Sequence, residues 1–332
     1  MLLIQGASQL RQKQGGVRHL SRMIDRDIED RGINLSKPQR EGLADIAASL
    51  LGCRTVNTSE LAAMLPRKAK NDESRFRYIH RWLGNEKISC RDTMLGWIPE
   101  LLTYLGSNRQ QVVLMLDQTQ INKEYSGLFV SLRLHDRAIP IVWTITKTQG
   151  AMGFIYQKPL LESLLPFIPE HTKILLMADR FYGTSRLISL CQSLGFEYRI
   201  RLKAGARLCQ KRGEITGNDM LLLKTPFLKD MSLGNSNVMT SVGVIQDKGH
   251  DEPWVIAMSG KPSRAKTLDY GLRWGIESMF SDLKSRGFHL STTQIQSPER
   301  LERLILVLSV AMMWAISTGW LANHPKPIKK KR

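Results

Sequence analysis

Two short apolar runs constrain this chain more than any other feature. Val112-Val113-Leu114-Met115-Leu116 and Ile174-Leu175-Leu176-Met177-Ala178 are unbroken hydrophobic segments, and each stops at an aspartate, Asp117 and Asp179. Runs so short, continuous and rich in branched side chains read as strands buried on both faces, which needs a sheet covered by helices. Between them, residues 127–134 and 138–146 follow short polar breaks, as hairpin-connected strands do. A helical patch holds Leu160, Leu161, Leu164 and Leu165, and a further helix at about 183–194 leads into a strand at 197–202. The resulting order, β-β-β-α-β-α-β, predicts a mixed α/β layer with an antiparallel meander first and parallel crossovers after it.

A carboxylate at the end of a buried strand lies at the rim of the sheet, where ligands of α/β sheets collect. If the strands of Asp117 and Asp179 are neighbours, the two carboxylates lie side by side. Like charges that close share a proton or hold a metal. Taken singly, each aspartate reads better as the opener of a turn or a helix cap. The pair carries more weight than its members.

Residues 1–105 show helical spacing. Ser36-Lys37-Pro38-Gln39 is a helix start with Ser36 as N-cap, and Leu43, Ile46, Ala47, Leu50 and Leu51 follow at helical intervals. A second short helix runs from Thr58 to Leu65 and is closed by Pro66. A third starts near Asp72 and carries Arg75, Phe76, Arg77, Ile79, His80, Arg81 and Trp82. This set suits a helix-turn-helix-like DNA-binding unit or a plain bundle with a solvated basic face. Residues 204–262 break into short pieces such as Met220-Leu221-Leu222-Leu223, 241–245 and 254–258, which predicts a β-rich insertion. Helix returns over about 263–285 and again from Pro298. The predicted partition is therefore a helical, DNA-binding segment at 1–105, a first core part at 106–203, the insertion at 204–262, a helical second core part at 263–325, and a basic tail at 326–332.

The chain has 48 Lys+Arg against 30 Asp+Glu, a formal charge of +18. A field of that sign favours polyanions, nucleic acid before membrane. Its densest share is residues 261–332, with 13 basic and 5 acidic groups, of which Lys329, Lys330, Lys331 and Arg332 close the chain. A hydrophobic fraction of 42% excludes a disordered tail protein. Cys53, Cys90, Cys191 and Cys209 stand far apart, and no C-x-x-C or H-x-x-x-H occurs, so reduced thiols in the cytoplasm are expected in place of a zinc site. Met1-Leu2-Leu3-Ile4 is too short for the apolar region of a signal peptide. Residues 304–323 contain no charge and could span a bilayer by length. They include Ser309, Ser317, Thr318 and Gly319 and follow an amphipathic segment, Pro298-Glu299-Arg300-Leu301-Glu302-Arg303, which predicts a core helix and no membrane contact.

The segment around 270–284 decides the matter. At about 100° per residue, Tyr270, Arg273, Glu277 and Lys284 fall in one stripe about 60° wide, with Leu272, Ile276, Met279 and Leu283 opposite. One face packs on a core, and the other presents a hydroxyl, a guanidinium, a carboxylate and an ammonium in line. A solvated face with i,i+4 pairs has the same spacing, but Tyr270, Trp274 and Phe280 are unusual there.

Tyr270-x2-Arg273-x3-Glu277-x6-Lys284, with LDQTQI around Asp117 and ADRFYG around Asp179, resembles the Tyr-Arg-Glu-Lys signature of DDE insertion-sequence transposases of the insertion-sequence-four type. SPERLERL followed by an apolar helix is similar to that family's usual ending. The resemblance spans about residues 110–320. It implies a ribonuclease-H-like core, with the β-rich insertion between the second aspartate and the glutamate. It implies a catalytic, metal-binding triad of Asp117, Asp179 and Glu277, holding Mg2+ or Mn2+, two ions per site. Hard cations prefer oxygen ligands, and two of them about 3.5–4 Å apart serve the attacking and the leaving oxygen of an in-line displacement at phosphorus. Tyr270, Arg273 and Lys284 are implied phosphate contacts, Arg as a planar fork and Lys as a compact charge. Arg180, next to the second aspartate, is a further candidate. Trp254 is a candidate for stacking on an unpaired base, or equally a core tryptophan of a strand. The implied partners are terminal inverted repeats and target DNA, with a homodimer holding the paired ends. The implied activity is strand cleavage at transposon ends followed by strand transfer.

Alternatives of the same chemistry are a ribonuclease-H-like nuclease and an inactive transposase-derived DNA-binding protein. A non-enzymatic helix-turn-helix binder would bind without any metal dependence. A glycosidase with two carboxylates accounts neither for the charge of +18 nor for cations beside Glu277.

Overall fold

The structure, a computed structural model, describes residues 14–107, 111–210, 213–246 and 252–323. The basic tail at 326–332 and the first residues, 1–4, lie outside the described residues.

Ten strands form one sheet: β1 Val112–Gln120, β2 Tyr125–Leu134, β3 Arg137–Lys147, β4 Ile174–Ala178, β5 Glu197–Leu202, β6 Arg207–Gln210, β7 Gly213–Thr216, β8 Phe227–Leu233, β9 Met239–Ile245 and β10 Trp254–Met258. Their order is β3-β2-β1-β4-β5-β10-β9-β8-β6-β7. β1, β2 and β3 are antiparallel, while β4 lies parallel to both β1 and β5. Such a mixed α/β layer is consistent with a ribonuclease-H-like nuclease fold. The residues expected to form a β-rich insertion do not stand apart from this sheet. β10 pairs antiparallel with β5, so the insertion extends the core sheet edge to edge.

Alternation along the central strands sends side chains to two cores. Leu114, Leu116, Leu176, Ala178 and Ile200 face one core with the helix Ser185–Ser193. Met115, Leu175 and Met177 face the other, with the N-terminal helices, Ile276 and Met279, and the long helix Pro298–Asn323. That helix is long and apolar enough to cross a membrane by length and composition, yet 67% of its most apolar stretch is buried in the fold. Leu301, Leu304, Ile305 and Leu308 are wholly or almost wholly inside.

The N-terminal helices begin where capping chemistry places them. Ser36 N–H donates to Gln39 Oε1 at 2.8 Å, Asn57 caps Thr58–Met64, and Asn71 caps Asp72–Leu83. Trp82 Nε1 donates to the Gln39 carbonyl at 3.0 Å. Its indole lies so close to Gly42 that a Cβ there would sit 2.3 Å from the ring. In the basic helix, Arg75 pairs with Asp72, and Arg77 with Glu73 at 2.8 Å.

Three local expectations need correction. β1 does not end at Asp117 but continues to Gln120, because β2 goes on pairing with it, Asp117 opposite Phe129. The run 220–223 is not a strand. Thr216 and Asp219 hydrogen-bond each other's backbone and start a short helix, Gly217–Met220, which leaves Leu222 86% exposed. The segment 263–285 is not one regular helix. It runs as α-helix Arg264–Leu268, 3-10 turn Asp269–Arg273, α-helix Trp274–Ser281 and π-turn Asp282–Arg286.

Candidate active site

The register of the central strands assembles the site. β1 and β4 run parallel with Leu116 beside Ala178, so the next residues along, Asp117 and Asp179, are neighbours. Both share the face of Met115 and Met177, and that face carries the helix Trp274–Ser281. β4 stops at Ala178, so Asp179 stands at its rim. There it also caps the 3-10 turn Arg180–Tyr182 by accepting from Arg180 N–H. The turn-opening role and the rim position thus coexist in one residue.

The third carboxylate comes from the interrupted helix. In a 3-10 turn, residues three apart stack one above the other, and the Arg273 guanidinium accordingly lies 5.6 Å from the Tyr270 ring centre. One α-turn later is Glu277. Arg273 Nη1 donates to Asp117 Oδ2 at 2.8 Å, and Arg273 Nη2 donates to Glu277 Oε1 at 2.5 Å. One planar fork therefore ties the sheet carboxylate to the helix carboxylate.

Electrostatics follow from depth. The Asp117 side chain is 16% exposed and that of Glu277 43%. Burial pushes Asp117 up to about 6. The Arg273 charge and the Gln118 N–H pull it down, and the charges of Asp179 and Glu277 add to the rise. Burial likewise pushes the Tyr270 hydroxyl up to about 12, against the pull of Arg273. Arg273 is held above its ordinary value, its own desolvation outweighed by Tyr270 and the three carboxylates.

A cleft of about 340 Å³ opens beside this cluster, lined by Asp179, Arg180, Phe181, Arg201, Glu252, Trp254, Tyr270, Arg273, Trp274 and Glu277. Two lining groups are buried without a hydrogen-bond partner, Tyr270 Oη and Arg273 Nε. Orphaned polar groups at a cleft wall are costly unless a ligand meets them. Of the residues expected to serve the site, Asp179, Glu277, Tyr270, Arg273 and Arg180 line the cleft, and Asp117 joins through Arg273.

Lys284 and Trp254 stand differently from expectation. Lys284 lies in the π-turn, whose wider winding breaks the 3.6-residue register of the stripe. It is half-buried, burial lowers its pKa, and it does not line the cleft. Gly287 closes that turn against the Asp282 carbonyl, where a Cβ would come within 2.1 Å. Trp254 is only 5% exposed and packs edge-on against Tyr270, ring centres 5.4 Å apart. It forms wall, and its faces are not open to a base.

Sequence reasoning missed Arg201 and Glu252. Glu252 pairs with Arg180 and stands 3.8 Å from Arg201. The signal for Arg201 was present: Glu197, Arg199 and Arg201 alternate on one face of a central strand, where apolar residues are the rule. Glu252 sits at the edge of a loop with no pattern to betray it. Phe181 and Trp274, 66% and 48% exposed, are aromatic residues of the cleft lining.

Comparison with known proteins bears on this arrangement. Residues 156–314 match the family model described as "Transposase DDE domain". The match supports a DDE transposase. It takes in Asp179, Tyr270, Arg273 and Glu277, while Asp117 precedes it. No curated protein matches the sequence. Among solved structures, an endonuclease V of Ciona intestinalis in complex with a 24mer DNA is 13% identical, with TM-score 0.30 over 63% of this chain and 85% of that one. Human ENDOV is 14% identical, with TM-score 0.26 over 63% and 86%. Likenesses at those scores say nothing of activity.

DDE transposases as a family use divalent metal ions. Among the described residues, no group of three His, Cys, Asp or Glu side chains closes around a point fit for a metal. Arg273 stands between two of the carboxylates instead. The donor set nonetheless fits a hard cation. It is all carboxylate oxygen, and it already stabilises one buried positive charge, the guanidinium.

Proposed function

We propose that this protein is a cut-and-paste transposase that cleaves DNA at transposon ends and transfers the freed strand into target DNA. The observation that carries the reading is the side-by-side placement of Asp117 and Asp179 in register, with Glu277 brought to them from the helix across the same face. The family match supports the transposase class.

Asp117, Asp179 and Glu277 would hold the divalent ions, Mg2+ or Mn2+. Ions so held supply Lewis acidity at phosphorus and a more acidic bound water. The chain's own residues do the rest. Arg180 and Arg201 hold backbone phosphates along the cleft as charge-assisted donors. Tyr270 Oη, unpartnered in its wall, donates to a phosphate oxygen. Phe181, 66% exposed at the cleft, offers an aromatic surface to bases of a splayed strand. In the first step, water attacks the end phosphodiester, the bond from phosphorus to O3′ breaks, and a 3′-hydroxyl and a 5′-phosphate result. In the second, that 3′-hydroxyl attacks a target phosphodiester, forming a new P–O bond and releasing a target 3′-hydroxyl. The helical segment 1–105 serves the ends as DNA-binding unit, and two copies of the chain hold the two ends together.

The test is to sequence the DNA on both sides of the gene for terminal inverted repeats and to incubate the protein with labelled DNA from those ends, with and without Mg2+. The expected result is metal-dependent cleavage at the repeat boundary and joined products with target DNA. Cleavage without joining would make the protein a nuclease of this fold. Binding that is indifferent to metal, with no cleavage, would make it a DNA-binding relative.

A further inference from the structure

Asp117 and Glu277 already share a cation, and it is the protein's own. Arg273 is 8% exposed. Its two terminal nitrogens are committed to Asp117 Oδ2 at 2.8 Å and Glu277 Oε1 at 2.5 Å. These carboxylates are two of the three that would hold a divalent ion. A carboxylate oxygen that receives a close guanidinium N–H has that lone pair occupied, and two cations within a few ångströms repel strongly in a poorly hydrated site.

We propose that Arg273 and the divalent ion compete for the same two carboxylates, so that metal binding turns Arg273 away from Glu277 and toward the cleft. This rests on the triad reading above. Glu277 is the end that yields. Its side chain is 43% exposed, whereas Asp117 is 16% exposed and also held by Gln118 N–H at 2.9 Å. The displaced fork has somewhere to go. Arg273 Nε and Tyr270 Oη are both buried, both unpartnered, and both on the cleft wall. A phosphate oxygen arriving there completes the hydrogen bonding that neither group now has. Arg273 is thereby a positioning residue that couples the two ligands. It is counter-ion to the carboxylates before the metal binds and phosphate contact afterwards.

The experiment is titration of the full chain with Mn2+ alone, without DNA, followed by calorimetry and by the rise in Tm that Mn2+ produces. Loss of the guanidinium in Arg273→Gln is expected to tighten Mn2+ binding about tenfold or more, since a charge-assisted bond at each oxygen is removed. Removing any nearby positive charge pushes the same way, so Arg273→Lys is the deciding variant. It keeps the charge and most of the buried volume but cannot bridge both oxygens. Competition predicts binding a few-fold tighter than in the parent chain. Equal or weaker Mn2+ binding by Arg273→Lys overturns the proposal and leaves the triad intact. Mn2+ binding that survives unchanged in both Asp117→Asn and Glu277→Gln overturns the triad reading and this proposal with it.

Discussion

Among the described residues, two carboxylate–arginine clusters lie against a tyrosine ring, one in the N-terminal bundle and one at the sheet rim. In the N-terminal bundle, Asp45 accepts from Ser21 Oγ at 2.6 Å and pairs with Arg67 at 3.2 Å, while Arg67 also reaches Glu41 at 3.0 Å and lies 4.4 Å from the centre of the Tyr78 ring. At the sheet rim, Arg273 serves Asp117 and Glu277 and lies over Tyr270. The ingredients are the same: carboxylates, a guanidinium and a tyrosine face. In the bundle both Asp45 oxygens are matched within the fold, and the orphaned group is the Tyr78 hydroxyl. At the rim a third carboxylate, Asp179, is added without a second buried arginine, and Arg273 Nε is left over. The bundle cluster also borders a cleft, lined by Ser21, Glu41, Asp45 and Arg67 among others. What marks the rim is the third carboxylate, set in register beside the first, together with an unpartnered guanidinium N–H, an arrangement suited to a ligand.

The strongest way to break this contrast is to neutralise one carboxylate in each cluster. Asp117→Asn, Asp179→Asn and Glu277→Gln are each expected to lower metal-dependent cleavage by at least about a hundredfold, with end binding nearly intact in a gel-shift titration. Asp45→Ala is expected to do the reverse. It lowers the unfolding free energy by about 1–3 kcal/mol, because Ser21 and Arg67 lose their partner, and leaves the cleavage rate per folded molecule unchanged. Urea unfolding alongside single-turnover cleavage separates the two. Strong cleavage by Glu277→Gln, or a cleavage defect in Asp45→Ala beyond its loss of folded protein, would erase the distinction.

A pH experiment sharpens it. The folded pKa of Asp117, about 6, lies above its ordinary 3.8. The fold therefore prefers the neutral acid. That contribution to stability is complete below about pH 4 and is lost as pH rises through 6. Without divalent ions, Asp117→Asn should gain on the parent chain by roughly 2 kcal/mol between those limits and no further above them. The Asp45 shift has the same sign, because burial again outweighs Ser21 and Arg67. A stability difference that stays flat from pH 4 to 7 would mean that Arg273 keeps Asp117 ionised throughout.

The rim pair was legible in sequence because two buried strands each ran into an aspartate, and register could then only align or separate them. The partner strands were legible for the same reason, since β5 stands where its pattern placed it, at Glu197–Leu202. The helix stripe was legible for Tyr270, Arg273 and Glu277, which are close enough in sequence to tolerate the change from 3-10 to α winding. It failed for Lys284, because a π-turn depends on the closure at Gly287, and no helical wheel registers that. Trp254 was ambiguous because a tryptophan on a strand has no sequence mark separating wall from platform. The fusion of the insertion with the core sheet was hidden as well. It depends on the pairing of β10 with β5 across more than fifty intervening positions, which local periodicity does not encode.

The smallest expected effect tests whether the rim cluster extends to Glu252. This carboxylate is 56% exposed and pairs with Arg180, itself 41% exposed, with Arg201 nearby. Exposed pairs of this kind contribute about 0–1 kcal/mol, so a phosphate can displace Glu252 at little cost. Glu252→Gln frees two guanidinium groups to meet DNA. Binding in the presence of EDTA should tighten by a few-fold, and log Kd should change more steeply with log salt, by about one unit of slope. Arg201→Gln should do the opposite, weakening binding and flattening the slope. Glu41→Gln in the bundle removes a similar partial partner from Arg67, but Asp45 still holds that arginine, so DNA affinity should not move. If Glu252→Gln and Glu41→Gln behave alike at every salt concentration, Glu252 is as structural as its counterpart in the bundle. The cleft would then owe its affinity for phosphate to Arg180 and Arg201 with Glu252 still in place.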